Sequence, residues 1–338
     1  MTLNSFAMEW ALKEAANRYW KSDSKRKELH KKLDNVQAGM SGERKVLDVL
    51  RSVELPEESR ILHDLNLPLP GGQQFQVDIL AILHSGVILL ETKQIAGRLK
   101  FCTSPAALHK LDEYGQVTTA MECPAAQLQD QIGNLAALLY KHGFPVPITG
   151  RVVFANHPII EQIPPNLPVI KSRELRRLIR SKLMEPRSMT GKDIDDVAMF
   201  LQRQQIRYFP FPFCEREGFN RNDFYLGPLC KCWSKLIKQT ERAWKCPACG
   251  LTVQDPYEET LLAYFLLVSR RITVKQCMEL LSLKSSTHAR NILNRLAVKK
   301  VGSGKQTEYE LDYELQFLRL LQREGTRVML LGEKDYSN

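Results

Sequence analysis

Two apolar runs separated by a short polar turn place the strongest constraint on how this chain folds. The runs are FQVDILAIL and VILLETK, and the turn between them is HSG. Apolar runs of this length around so short a turn predict an antiparallel β-hairpin. If the loop is His84-Ser85, Leu83 pairs with Gly86, and the same register places Asp78 directly opposite Glu91.

The two carboxylates of this hairpin form a candidate metal site. Directly opposite residues of an antiparallel pair have Cβ atoms about 4.5–5.5 Å apart, close enough for Asp78 and Glu91 to bind one divalent cation. Lys93 lies two residues after Glu91 and therefore points to the same face of the strand. The structural alternative is an ion pair of Lys93 with Asp78 or Glu91 at the edge of a sheet. A register shift of one residue would separate the carboxylates.

Further helix and strand patterns surround the hairpin. Apolar positions three and four apart predict a helix from Pro124 to Lys141, because proline is favoured at the first helical position. The first forty residues predict one charged amphipathic helix, and Ser41 is a candidate N-cap for the next. RVVFAN is typical of a buried strand, and Ser172 begins another helix. Helices that alternate with strands in this way indicate an α/β fold.

A set of short motifs accompanies the hairpin: Gly42-Glu43, Asp78, Gly86-Val87, Glu91-Thr92-Lys93, Gly97, and Pro124 with Gln127. Together they resemble the nuclease-related (NERD) domain, a branch of the PD-(D/E)xK phosphodiesterase superfamily. The resemblance covers roughly residues 41–180. The chain departs from the family pattern at Cys123, where asparagine is more usual, and in the stretch after Gly97, which lacks a tryptophan.

The resemblance implies a restriction-endonuclease-like mixed sheet flanked by helices, in a nuclease domain over residues 41–205. It implies a metal-dependent DNA endonuclease that hydrolyses phosphodiester bonds with Mg²⁺ or Mn²⁺. Asp78, Glu91 and the Thr92 carbonyl would hold the cation, and Lys93 would orient the attacking water or stabilise charge on the phosphorane. The remaining expected roles are metal binding by Glu43 and orientation of water or phosphate by Gln127.

Half of the eight cysteines lie within twenty residues, in the segment LCKCWSKLIKQTERAWKCPACG. Such a cluster favours a structural Zn²⁺ site, and CPACG is typical of a zinc knuckle. No histidine occurs between His157 and His288, so a local site is all-cysteine. The alternatives are Cys214 in place of one early ligand, a redox-active pair, and unrelated thiols. We expect a linker and zinc ribbon over residues 206–254, with the ligands Cys230, Cys232, Cys246 and Cys249.

The C-terminal segment, residues 255–338, resembles a winged helix-turn-helix module. Three helices are predicted, the second capped by Thr273, and two strand-like runs flank Gly302-Ser-Gly304 as a wing. Leu283, Ile292, Leu293 and Leu296 would pack the third helix on the others. The expected DNA contacts are Ser286, Thr287, His288, Arg290, Asn291, Asn294, Lys299, Lys300 and Lys305.

Charge and composition restrict the partners. The 338-residue chain has 48 Lys and Arg against 38 Asp and Glu, a formal charge of +10, which favours an anionic partner such as DNA. Residues 269–305 hold nine cations opposed only by Glu279, whereas 41–180 are near neutral. Gln306 follows Lys305 where a phosphate loop needs Ser or Thr, so no nucleotide cofactor is expected.

The absence of a long apolar run predicts no membrane association, and the N-terminal residues show no signal-peptide pattern, so we expect a cytoplasmic protein. Winged helices also serve as dimerisation modules, which makes a homodimer an alternative role for the C-terminal segment. The alternative to catalysis is a non-catalytic DNA-binding or regulatory protein with a degenerate nuclease scaffold.

Overall fold

A computed structural model describes residues 3–207 and 209–323 of the chain. The described residues form two compact units. The first unit contains residues 37–207, and the second combines residues 3–36 with residues 209–323. The second unit is therefore built from two separate stretches of sequence.

A five-stranded mixed sheet forms the centre of the first unit. Its strands are β1 (Arg60–Pro68), β2 (Gln74–Leu83), β3 (Gly86–Lys93), β7 (Ile148–Phe154) and β9 (Val169–Lys171). They follow the order β1-β2-β3-β7-β9. β1, β2 and β3 pair antiparallel, whereas β3, β7 and β9 pair parallel, so the predicted mixed sheet is present.

The hairpin between β2 and β3 has the predicted register. Leu83 pairs with Gly86, and Ile79 pairs with Leu90. Gly86 adopts a φ of +130°, and a Cβ at this position would lie 2.6 Å from the carbonyl oxygen of Pro147. Only glycine fits this close approach, so the β2–β3 turn packs directly against the segment that leads into β7.

Helices cover both faces of the sheet. α2 (Asp23–Arg51) and α4 (Ser172–Leu183) pack on one face, and α3 (Pro124–Lys141) and α5 (Gly191–Gln204) pack on the other. α3 begins and ends where the apolar spacing predicts. It lies close to β7, because a Cβ at Gly150 would come within 2.8 Å of the Leu128 and Ile132 side chains.

Two features of this unit differ from the sequence prediction. Ser41 lies inside α2 rather than at a helix start, because one continuous helix runs from Asp23 to Arg51. The single helix expected over the first forty residues is therefore wrong, since an earlier helix ends at Arg18 and α2 begins at Asp23. A second, four-stranded sheet of order β6-β5-β4-β8 occupies the stretch after Gly97, where no strands were expected. Its strands are β4 (Arg98–Thr103), β5 (Ala106–Leu111), β6 (Val117–Glu122) and β8 (Ile159–Gln162).

The second unit contains two small sheets and several helices. One sheet pairs β10 (Ile237–Lys238), β11 (Ala243–Lys245) and β12 (Thr252–Gln254), all antiparallel. The other has the order β13-β15-β14, from β13 (Arg271–Thr273), β14 (Val298–Val301) and β15 (Glu308–Leu311). The helices are α1 (Leu3–Arg18), α6 (Phe213–Glu217), α7 (Tyr257–Leu267), α8 (Val274–Leu281), α9 (Ser286–Leu293) and α10 (Tyr313–Arg323).

The N-terminal and C-terminal stretches of this unit share a core. α1 packs on α7 and α10, and the ring of Phe6 lies 5.9 Å from that of Phe317. Thr273 caps α8, as predicted, by accepting a hydrogen bond from the Gln276 backbone nitrogen. Among the helices formed by the described residues, none combines the length and the apolar character that a membrane crossing requires.

Candidate functional site

Asp78 and Glu91 occupy neighbouring strands at one end of the first unit's central sheet. The register of β2 and β3, continued by one pair beyond Ile79 and Leu90, places the two carboxylates opposite each other. Asp78 Oδ2 accepts a hydrogen bond of 2.8 Å from the Thr92 backbone nitrogen. Glu91 is 1% exposed, whereas Asp78 is partly exposed.

Asp64 adds a third carboxylate that the sequence prediction missed. It lies in β1 between His63, which pairs with Ile79, and Leu65, which pairs with Val77, so the register places it opposite Asp78. Its φ of +49° is in the left-handed region, which few non-glycine residues adopt, although aspartate does so more often than most. Asp64 is 4% exposed. A charged residue inside the apolar run ILHDLNL was the signal that could have identified it.

Lys93 and two glutamines from α3 surround Glu91. Lys93 Nζ lies 2.7 Å from Glu91 Oε1, so the ion pair considered as an alternative is present. Lys93 Nζ also donates to Gln127 Oε1 at 3.1 Å. Gln131, which sequence reasoning missed, donates from Nε2 to Glu91 Oε2 at 2.9 Å. Its position one helical turn after Gln127 was the available signal, because residues four apart share a helix face.

Helix α2 brings Glu43 to the carboxylates from the other side. The preceding residue is Gly42, where a Cβ would lie 2.9 Å from Gln94 Cβ and 3.4 Å from a Thr92 methyl carbon. Since glycine has no Cβ, the helix approaches the end of β3 closely at this point. Gly42 therefore allows the close helix packing that places the carboxylate of the next residue, Glu43, near the other carboxylates.

Mutual repulsion and burial dominate the electrostatics of this group. Burial, followed by the charges of Asp78 and Asp64, raises the pKa of Glu43 to about 8. Burial and the Glu91 carboxylate also raise the pKa of Asp78, although the Thr92 backbone hydrogen bond opposes this shift. Like charges close together disfavour ionisation of each other. A divalent cation would remove this repulsion, so the oxygen donors fit Mg²⁺ or Mn²⁺.

The four predicted zinc ligands lie together in the second unit. The sulfur atoms of Cys230, Cys232, Cys246 and Cys249 all lie within 4.8 Å of one another. The closest sulfurs are 3.5 Å apart, between Cys232 and Cys246. Among the described residues, no other three or more potential metal ligands, whether histidine nitrogens, cysteine sulfurs or carboxylate oxygens, form so compact a group. The carboxylates around Asp78 therefore do not form one.

Local backbone geometry aims these thiols at a common centre. The Trp233 backbone nitrogen donates to the Cys230 carbonyl at 2.8 Å, and Gly250 donates to the Cys246 carbonyl at 3.0 Å. Trp233 adopts a φ of +65°, which closes the short Cys-x-Cys turn. The four cysteines can therefore form a zinc site, with the all-sulfur donor set that Zn²⁺ accepts.

The thiols of this cluster influence one another's protonation. Hydrogen bonds from the Ser234 backbone and hydroxyl lower the pKa of Cys232. The Leu251 backbone acts in the same direction on Cys249, but hydrogen bonds with Cys246 and Cys230 outweigh it and raise the Cys249 pKa. Cys214, considered as a substitute ligand, instead lies in an apolar core in which burial raises its pKa to about 11.

The expected DNA-contacting residues lie on α9 and on the β14–β15 hairpin. The side chains of those that the structure describes are exposed or half-buried. Leu283, Ile292, Leu293 and Leu296 are buried, as predicted. His288 lies against the ring of Tyr257, 5.8 Å away. The side chain of Lys305 lies outside the described part of the structure.

Several cations of the basic segment are already paired. Glu310 is 6% exposed and lies 2.8 Å from Arg271 Nε, 3.4 Å from Arg270 Nε and 3.5 Å from Lys299 Nζ. Arg295 lies 3.8 Å from Glu258. The local charge of +8 counted along the sequence therefore overstates the charge that this segment presents to a ligand.

Comparison with known proteins identifies the class to which the first unit is similar. The family model of NERD, the nuclease-related domain, matches residues 38–155. The matched segment contains Glu43, Asp78, Glu91, Lys93 and Gln127, so the resemblance noted from short motifs is confirmed. No curated protein and no solved structure matches the chain. A nuclease-related domain indicates a nuclease-related function with nucleic acid as the substrate.

Proposed function

We propose that this chain is a metal-dependent DNA endonuclease whose catalytic centre consists of Asp78, Glu91, Lys93, Glu43 and Gln127. The observation that carries the proposal is the convergence of carboxylates from β2, β3 and α2 beside a lysine, within the segment that matches NERD. Neighbouring carboxylates that raise the pKa of Asp78 and Glu43 form a donor set suited to a divalent cation.

Each residue of the centre has a distinct role in this proposal. Asp78, Glu91 and the Thr92 carbonyl would hold Mg²⁺ or Mn²⁺, with Glu43 as a further donor from α2. When bound, the cation supplies charge to polarise the scissile phosphate and to lower the pKa of a water molecule. Lys93 would donate a hydrogen bond to a phosphate oxygen or to that water.

The glutamines of α3 would hold Lys93 and Glu91 in position. Gln127 accepts from Lys93, and Gln131 donates to Glu91 and to the Gln76 carbonyl, both at 2.9 Å. These contacts restrict the rotamers of the two central side chains, which reduces the entropy lost when the substrate is positioned.

A cleavage assay with single-stranded, duplex, nicked and branched DNA, beside RNA, tests this activity. Purified protein with Mg²⁺ or Mn²⁺ is expected to cut DNA, and Asp78→Ala and Lys93→Ala are each expected to abolish cutting. Asp48→Ala and Lys141→Ala remove exposed charges of the same kinds and should leave the rate unchanged. Equal cutting by the wild type and both centre variants would contradict the assignment.

The same assay distinguishes the non-catalytic alternative. Glu91 is 1% exposed and is paired with both Lys93 and Gln131, which is also how a purely structural carboxylate is satisfied. If the full chain binds DNA but cuts none of these substrates with either metal, a DNA-binding or regulatory role replaces the catalytic one.

The second unit would place the centre on DNA. We propose that the four-cysteine segment is a zinc ribbon and that α7 to β15 form a winged helix, with α9 in the major groove and the β14–β15 hairpin as the wing. Support comes from the polar, exposed face of α9 and from the antiparallel pairing of β14 with β15.

Charge pairing predicts unequal contributions to DNA affinity. Arg290 and Lys300 are exposed, and neither is paired with a carboxylate among the described residues, whereas Lys299 shares Glu310 with two arginines. Arg290→Ala and Lys300→Ala should each weaken duplex binding and reduce its salt dependence, and Lys299→Ala should do so less. Anisotropy titrations at several salt concentrations measure this, and salt-insensitive binding would indicate a protein partner instead.

A further inference from the structure

A cavity lies beside the catalytic centre, on the α3 side of the first unit. Its volume is about 450 Å³, within the range of pockets that bind small organic groups. β2, β5, β6 and the first turns of α3 contribute its walls. The lining includes Phe75, Glu122, Gln127, Asp130, Gln131 and Asn134.

Two of these lining residues also contact the catalytic groups. Gln127 accepts the hydrogen bond from Lys93 Nζ, and Gln131 donates to Glu91 Oε2. One side chain thus separates the cavity from Lys93, and one separates it from Glu91. A substrate phosphate held at Lys93 and Glu91 would bring a neighbouring part of the same nucleotide chain to the cavity.

The polar lining favours a ligand that donates hydrogen bonds. Gln131 Nε2 is already used by Glu91 and the Gln76 carbonyl, and Gln76 Nε2 is used by Asp64. Gln131 Oε1 has no hydrogen-bond partner among the described residues, although the side chain is 5% exposed. Glu122 and Asp130 contribute further acceptors, since an ionised carboxylate cannot donate.

The charge of the lining disfavours a phosphate group inside the cavity. None of the described residues that line it is lysine or arginine, and neither Glu122 nor Asp130 forms an ion pair within the described residues. Two carboxylates without a neighbouring cation would repel a phosphate group placed in the cavity. A neutral group rich in N–H donors would avoid this repulsion and would supply hydrogen bonds to the acceptors of the lining.

We propose that this cavity holds an unpaired nucleobase next to the scissile phosphate and prefers adenine, cytosine or guanine over thymine or uracil. Exocyclic amino groups, which thymine and uracil lack, would donate to Asp130, Glu122 and Gln131 Oε1. Phe75, which is 8% exposed, contributes a small apolar surface to the lining. The proposal rests on the proposed nuclease activity, and it makes a single-stranded or unpaired nucleotide the substrate because a paired base is not free to enter a pocket.

Binding of free nucleosides tests the cavity independently of cutting. The full chain, without divalent cation, is mixed in turn with deoxyadenosine, deoxycytidine, deoxyguanosine and thymidine, and saturation-transfer NMR reports contact. The three amino-bearing nucleosides should give stronger signals than thymidine. Asp130→Asn and Asn134→Ala should reduce these signals, and Gln129→Ala, on an exposed position of the same helix, should not.

Sequencing of the ends cut from a random single-stranded DNA library tests the link to catalysis. Amino-bearing bases should be enriched about tenfold over thymine at one position beside the cut, as one good base contact provides. Asp130→Asn should reduce this enrichment while cutting still depends on Asp78. Cutting without base preference, together with equal signals from all four nucleosides, would overturn the cavity proposal and leave the nuclease proposal intact. Nucleoside binding without cutting by either metal would overturn the nuclease proposal instead.

Discussion

The carboxylate group around Asp78 and the four-cysteine cluster are both candidate metal sites, but their ligands are held in different ways. The four sulfurs lie within 4.8 Å of one another, with backbone hydrogen bonds that fix each short turn. Among the described residues the carboxylates form no such compact group of three, and Asp78 and Glu91 each have another partner: Thr92 for Asp78, and Lys93 with Gln131 for Glu91.

This difference matches the uses proposed for the two sites. A small segment with three short strands has little core, so a structural metal would stabilise it, and that requires its ligands to converge. The carboxylates belong to a sheet that is already stabilised by apolar cores on both faces. The raised pKa values of Asp78 and Glu43 would favour the protonated forms of these two carboxyl groups until a cation binds, which would suit the proposed exchange of metal and substrate.

Loss of one thiol should have the largest effect. Cys246 is fully buried, and Cys246→Ser is expected to release Zn²⁺ and unfold β10 to β12, because structural zinc contributes about 10–16 kcal/mol in small zinc modules. Elemental analysis and hydrogen exchange measure the two effects. Cys102→Ser, in the first unit, should leave zinc unchanged. Less than half an equivalent of zinc in the intact wild type would contradict the assignment.

The two sites should respond to pH with opposite signs. The pKa of Glu43 is about 8 in the folded chain and near 4.5 when unfolded, so the folded state binds more protons between these values. Without divalent cation, the stability of the first unit should fall as pH rises through this window, by on the order of 3 kcal/mol. Zinc retention should rise over the same range, because thiols must lose protons to bind.

Hydrogen exchange in β2 and β3 from pH 5 to pH 8 measures the carboxylate part of this prediction. Glu43→Gln should flatten the dependence, and so should Mg²⁺, because either removes the repulsion. Glu54→Gln, at an exposed position, is the matched control and should leave the slope unchanged. A slope that persists in Glu43→Gln would show that another group causes it.

A smaller effect is expected where α2 approaches β3. Gly42→Ala places a Cβ 2.9 Å from Gln94 Cβ, and overpacking of this kind costs about 1–3 kcal/mol. Displacement of Glu43 should lower the cleavage rate about tenfold, since catalytic groups tolerate little misplacement. Gln94→Gly in the same chain should restore most of the rate.

Gly39→Ala is the matched control for this substitution, because nothing lies within 4 Å of a Cβ there. It should stabilise the helix by about 0.5–1 kcal/mol without changing the rate. A Gly42→Ala variant that behaves like Gly39→Ala would show that close helix packing does not position Glu43.

The hairpin and its carboxylates could be predicted because local sequence determines them. A turn of fixed length between two apolar runs sets the register, and the register sets which side chains face each other. The starts of α8 after Thr273 and of α3 at Pro124 could be predicted in the same way, since a helix N-terminus depends on a few adjacent residues.

The errors arose where distant packing overrides local preference. Gly39, Ser41 and Gly42 are weak helix formers and favour a break, yet α2 continues because Leu29 and Val46 are buried on either side of them. In the second sheet, β4 has only a short alternation, with Leu99 and Phe101 buried, and β6 is almost wholly exposed, so periodicity could not reveal β6. Asp64 was missed because its role depends on a neighbouring strand.

The second unit is built from two stretches of sequence that are separated by the first unit, and this order affects how the chain folds during synthesis. α1 is made more than two hundred residues before α7 and α10, on which it packs. During translation the apolar surface of α1, including Phe6, lacks these partners while the central sheet of the first unit forms. A ribosome-bound chain that ends before α7 is therefore expected to recruit chaperones at its N-terminal helix, although the first unit is already folded.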